Sequence, residues 1–159
     1  MAYSLSSIDS RINGIRNTAE VGVGGIENYA KKRAHREPVD EYEEALVHQS
    51  ESLENDVHNQ VDDIKQYVLT RQPRTNDTDY ERKRREFIQF TKHATEGMTG
   101  LKGTFSRLFS KIKDVVKRIA RWIRDNLPNI VRTIGVIFKD VVFPILGHFT
   151  GHTYGQIPH

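Results

Sequence analysis

Two pairs of residues in this chain have spacing suited to acid–base chemistry: Glu44 with His48, and Glu54 with His58. Four residues on a helix bring a carboxylate beside an imidazole, the arrangement from which general acid–base catalysis is built. The same spacing also arises on any solvated helix face, and no nucleophile motif, phosphate-binding loop or dinucleotide fingerprint accompanies it. His148 and His152 stand at the spacing of two metal ligands on a helix, but Gly147 and Gly151 weaken that helix and no third ligand lies near. There is no cysteine, which removes disulfides, cysteine–zinc sites and thiolate nucleophiles. The expectation is therefore a protein that is not an enzyme, with no catalytic residue, no metal and no cofactor.

A different chemistry, attraction of anions, is much better represented. Lys31, Lys32, Arg33 and Arg36 form one basic cluster, and Arg82, Lys83, Arg84 and Arg85 another. The second falls near a helix start, where the backbone dipole repels cations. Such a departure from local preference is expected where a site serves binding, so Arg82, Arg84 and Arg85 are candidates for contact with phosphate or anionic lipid. An acidic partner within the fold is the plainer explanation.

The clearest pattern lies further on. Phe105, Leu108, Phe109, Ile112, Val115, Val116, Ile119, Trp122 and Ile123 recur in the i, i+3, i+4, i+7 rhythm of one helix face. Arg107, Lys111, Lys113, Lys117, Arg118, Arg121 and Arg124 take the opposite face. A wide apolar stripe beside concentrated cations describes a helix that lies in a membrane interface. On that reading Phe105, Phe109, Ile112, Val116, Ile119, Trp122 and Ile123 insert, while Lys111, Lys113, Lys117, Arg118, Arg121 and Arg124 hold anionic head groups, each for roughly 1 kcal/mol. In the resting state the same stripe would serve as core and the cations would pair with acids elsewhere in the chain.

The elements that must position these residues are helical. The chain has 159 residues, 36% apolar and 28% charged, which suits one domain with wide solvated faces. Its net charge of +3 hides a division: residues 1–101 carry fourteen Lys and Arg against eighteen Asp and Glu, and residues 102–140 carry ten against three. Ile8, Ile12, Ile15, Ala19 and Val23 predict a helix over 6–32 that Gly22, Gly24 and Gly25 should kink or break. Pro38 and the acids after it start a second helix reaching about Arg71, with nine acidic residues and no Lys or Arg between Asp40 and Asp63. Residues 72–77 read as a turn, and Thr78 with Glu81 as the capping box of a third helix. Gly97, Gly100 and Gly103 should interrupt or hinge that helix before Thr104 caps a fourth. Asn126-Leu127-Pro128 is punctuation before a fifth segment containing Ile130, Ile134, Phe138 and Val142, expected to end near Pro144.

The fold expected from these signals is all-α, a bundle of four to five helices with a cationic amphipathic C-terminal helical pair. It divides into an acidic-leaning part (1–101), a cationic amphipathic region of the same domain (102–149) and an irregular tail (150–159). The expected function is non-enzymatic: binding to an anionic membrane surface, with oligomerisation or permeabilisation by homo-oligomers. The alternative is a self-assembling or nucleic-acid-coating helical protein, the subunit of a filament or capsid, with basic residues facing phosphates. The amino terminus lacks the charged and apolar regions of a secretory signal, position 2 is not glycine, and no run of eighteen uncharged apolar residues occurs. Synthesis in the cytosol, with peripheral membrane association, is the expected localisation.

Overall fold

The structure, a computed structural model, describes residues 3–150, with side chains as far as Gly147. Its regular elements are all helices: α1 (Leu5–Arg33), α2 (Val39–Leu69), α3 (Tyr80–Arg124), α4 (Ile130–Ile137) and α5 (Phe143–Thr150), with a π-helical turn at Phe138–Val142. No strand occurs among the described residues. Because α4, the π-helical turn and α5 follow end to end, the helices form four rods. The tail from 151 onward, including His152, lies outside the described residues, as does the side chain of His148.

Periodicity decides which face of each rod is buried. Ile8, Ile12, Ile15, Ala19, Val23, Ile26 and Ala30 line the covered side of α1, and Tyr42, Leu46, Leu53, Val57, Ile64 and Val68 that of α2. Cross-links fix the directions. Ser7 bonds Tyr67 through their hydroxyls at 2.6 Å, and the Tyr42 hydroxyl donates to the Ala30 carbonyl, so α2 runs antiparallel to α1. Tyr67 lies against Phe90 and Glu54 against Lys113, so α3 is antiparallel to α2. α2 lies along α1 and α3, and the rod formed by α4 and α5 packs against the same two helices. Tyr42 is buried, which together with the nearby Tyr29 and Glu37 pushes its phenol well above the ordinary range.

Several expected interruptions are absent. α1 passes through Gly22, Gly24 and Gly25 without a break. The Leu53 side chain of α2 occupies the space where a Cβ on Gly22 would sit, so this glycine allows close approach of two rods rather than a kink. Gly97, Gly100 and Gly103 do not break α3, which is one helix of 45 residues. Gly97 again serves close packing, against the Ile12 side chain, while Gly100 and Gly103 face open space. The predicted third and fourth segments are thus one helix about 67 Å long. A continuous apolar stripe buried against neighbours outweighs about 1 kcal/mol per interior glycine.

The expected capping box does not form either. α3 starts one residue later than Thr78 would cap it, from Asp79 in the left-handed conformation (φ 58°), with no side-chain cap. Nor does the last rod end at Pro144. Proline removes a donor and crowds the carbonyl four residues earlier, and the π-helical turn just before it, closed by the Phe143 amide donating to the Phe138 carbonyl, widens the spiral there. Pro144 then stands in the first turn of α5, where proline is tolerated, and helix continues to Thr150.

Two substitutions separate packing from propensity. Gly25→Ala meets nothing within 4 Å, so it gains about 1 kcal/mol of helix propensity and raises Tm by about 2–4 °C in thermal unfolding followed by circular dichroism. Gly22→Ala forces Leu53 aside and lowers Tm. Equal shifts in the same direction would refute the close-approach account. Tyr42→Phe loses the bond to Ala30 and costs about 1 kcal/mol in the same assay.

Candidate functional site

The residue pairs with acid–base spacing are not hydrogen-bonded to each other among the described residues. Glu54 accepts from Lys113 Nζ of α3 at 3.0 Å rather than facing His58. His58 instead packs edge-on to Phe105, with ring centroids 5.1 Å apart, at the rim of a groove of about 490 Å³ between α2 and α3. Glu44 and His48 lie on the outer face of α2 beside Asp40, Glu43 and Glu51, with no hydrogen bond between them. Among the described residues no group of three His, Asp or Glu side chains is placed to hold a metal ion.

α3 sorts its side chains by angle. Phe105, Phe109, Ile112, Val116, Ile119 and Ile123 are all buried, joined in the core by Leu108 and Val115; Trp122, at the edge of the stripe, is half-buried. Phe105 and Phe109 meet edge to face, with centroids 4.6 Å apart. The stripe read as membrane-inserting is therefore stored against α1, α2 and the last rod. On the other arc Arg107, Lys111, Lys117, Arg118, Arg121 and Arg124 are exposed.

Acids elsewhere in the chain were expected to neutralise this arc, and α2 carries the largest group of them. Only one bridge between α2 and the arc occurs among the described residues, Lys113 with Glu54. Arg118 pairs within its own helix, with Asp114 at 3.3 Å. The reason is geometric. Two amphipathic helices pack apolar arc to apolar arc, which turns both polar arcs outward, so only residues at the seam, such as Lys113 and Glu54, can reach each other. Lys111, Lys117, Arg121 and Arg124 meet no carboxylate among the described residues.

The Arg82–Arg85 cluster sits in the first turns of α3, with Arg82, Arg84 and Arg85 exposed and Arg82 bridged to Asp79 at 3.4 Å. Arg82 and Arg118 are separated by about ten helical turns, as are Arg85 and Arg121, so on an ideal helix both ends of α3 present cations in one direction.

A further feature was read in the sequence only as punctuation. The turn from α3 to α4 carries Leu127, half-buried, and Pro128, exposed, with Val131 48% exposed just beyond it. It is closed by a Schellman motif: Asn126, in the left-handed conformation (φ 54°), donates to the Ile123 carbonyl and Leu127 to the Trp122 carbonyl. His35, from the turn between α1 and α2, lines the same depression of about 740 Å³ as Asn126–Arg132. The fold thus brings the first basic cluster, Lys31 to Arg36, to the same end of the molecule as Arg124 and Arg132. The sequence signal was an apolar pair, Leu127-Pro128, in a loop flanked by Arg124 and Arg132. No helix of the described residues is long and apolar enough to cross a membrane. Compared with known protein families, with curated proteins and with solved structures, the chain matches none.

Proposed function

We propose that the chain is a non-enzymatic, membrane-active helical bundle that binds anionic lipid surfaces through its cationic C-terminal helical region and oligomerises or permeabilises them. The observation that carries this reading is the split on α3: six exposed cations, most without an acidic partner, on a helix whose buried arc is rich in phenylalanine and isoleucine.

Magnitudes set the order of events. Withdrawing six buried stripe residues into water costs about 1.5–3 kcal/mol each, a total comparable to the whole stability of a domain. The stripe therefore stays closed in solution. Contact between an anionic leaflet and those of the exposed cations that reach it comes first, for roughly 1 kcal/mol each, and the stripe then exchanges protein neighbours for acyl chains at little net cost. Gly100 and Gly103, with open space around them, are where α3 bends most cheaply, and Gly97 is released once α1 separates.

One observation favours a second reading, the nucleic-acid-coating or filament subunit. While the stripe is closed, α3 shows a partner mainly cations, from Arg82 to Arg124, and such a track suits a phosphate chain.

Mixing with vesicles of neutral or anionic lipid decides between them, with binding followed by Trp122 fluorescence and permeabilisation by dye release. The expected outcome is binding, a blue shift and release on anionic vesicles alone. No binding at any lipid composition, with oligonucleotide binding that weakens steeply with salt, would remove the membrane reading in favour of the second. The double substitution Gly100→Ala with Gly103→Ala raises helix stability by about 2 kcal/mol and slows release without weakening binding; unchanged release would show that bending of α3 has no part in it.

A further inference from the structure

The closed molecule has two ends, and they differ. At one, the turns α1–α2 and α3–α4 lie side by side, sharing the depression between His35 and Arg132. Residues 31–41 and 121–132 together carry seven Lys and Arg against four Asp and Glu, an excess equal to the net charge of the whole chain, +3. Beside this depression stand the exposed Pro128 and Val131 and the half-buried Leu127, with the half-buried Trp122 in the last turn of α3. Glu37, one of the four acids, is already occupied by the Tyr29 hydroxyl at 2.8 Å and lies within 3.8 Å of Arg33. At the other end Tyr3 donates to the Arg71 carbonyl and the Arg71 guanidinium lies 3.5 Å over the Tyr67 ring, while Arg82, Arg84 and Arg85 remain exposed, Arg82 bridged to Asp79.

We infer that the closed protein docks end-on, the α3–α4 turn entering the head-group layer of an anionic bilayer and Arg124, Arg132 and Arg36 binding its phosphates. This deepens the membrane reading above and rests on it. The partner follows from the chemistry of the tip. A tryptophan beside leucine, proline and valine suits the boundary between head groups and acyl chains, and the surrounding arginines require that boundary to be anionic. The Schellman motif holds the apolar residues in place before contact, so little conformational entropy is lost on docking. End-on docking also places the carboxyl end of the buried stripe, Ile119 to Ile123, nearest the lipid, so release of the stripe starts there.

The geometry separates this mode from side-on binding by the whole arc. Lys111 lies about 20 Å along α3 from Arg124, more than two Debye lengths at physiological salt, so it contributes little when the tip is docked. The test is co-sedimentation of the full chain with vesicles containing a third phosphatidylglycerol, alongside quenching of Trp122 by lipids brominated at shallow or deep acyl positions. Arg124→Gln with Arg132→Gln is expected to weaken partitioning about thirtyfold, and Leu127→Ser with Val131→Ser about tenfold or more. Arg107→Gln with Lys111→Gln is expected to change it less than threefold. In the wild type, shallow bromines quench Trp122 more than deep ones. Thermal unfolding of each variant checks its fold, and the wild-type quenching stands whichever variants survive. Equal losses from arc and tip variants, or an unquenched Trp122 on bound protein, would overturn end-on docking while leaving membrane binding intact. A wild type that binds no vesicle would overturn both.

Discussion

A helix of 45 residues with one apolar arc cannot exist alone in water, and the arrangement of every other rod follows from covering that arc. Twelve buried side chains come from α3, against seven each from α1 and α2. α2 covers one flank, the rod of α4 and α5 packs against α3 and α1, and glycines at two contacts, Gly22 and Gly97, make room for the Leu53 and Ile12 side chains. The π-helical turn before Pro144 belongs to the same requirement. Without it the proline would end the last rod, and Leu146 would not reach the core, where it is 1% exposed.

Covering the arc settles the charges as a by-product. Once apolar faces meet, the acids of α2 and the cations of α3 are left on outer surfaces, and among the described residues the attraction implied by their opposite signs is met only at the seam by Lys113 and Glu54. Elsewhere the Lys and Arg bridges stay within one element or its immediate neighbourhood, Lys31 with Glu27, Arg118 with Asp114 and Arg82 with Asp79, and one imidazole–carboxylate contact, His93 with Asp9 at 2.7 Å, joins α3 to α1. Exposed pairs of this kind contribute little to stability. The cations of α3 are thus not needed to hold the fold, which leaves them available for an external anion.

Much of the fold was legible in the sequence because helical periodicity is a direct record of burial. Each stripe residue named from its spacing on α1, from Ile8 to Val23, is buried, and the stripe from Phe105 to Ile123 is the core of α3. What periodicity does not record is the energy of competing local preferences. Glycines at 97, 100 and 103 have low helix propensity, yet the stripe continues across them through Leu101 and Phe105, and the burial of those two residues keeps the helix whole. Thr78 and Glu81 have the types of a capping box, but the turn enters the helix one residue later. The candidate site was partly legible for the same reason. Composition located the cations of α3, but which of them have partners depends on the angle between packed helices, and the depression shared by His35 and Arg132 depends on the α1–α2 and α3–α4 turns falling at the same end of the bundle.

That last dependence bears on how such a molecule could act at a surface. Cations spread along a rod offer a long, weakly specified contact, because each is screened beyond about 8 Å and none constrains the orientation of the others. Cations gathered at the end of packed rods, around apolar residues fixed by a Schellman motif, constrain both the contact point and the direction of approach. Orientation matters because the stripe is stored, not displayed. A side-on contact would press the polar arc of α3 against the lipid and leave the stripe facing away, behind its own backbone. An end-on contact leaves the seams between rods open to the acyl region at their ends, where withdrawal of Trp122 and Ile123 exposes the fewest apolar groups to water at any one step. Opening in small steps from an anchored end keeps each barrier well below the cost of releasing the stripe all at once.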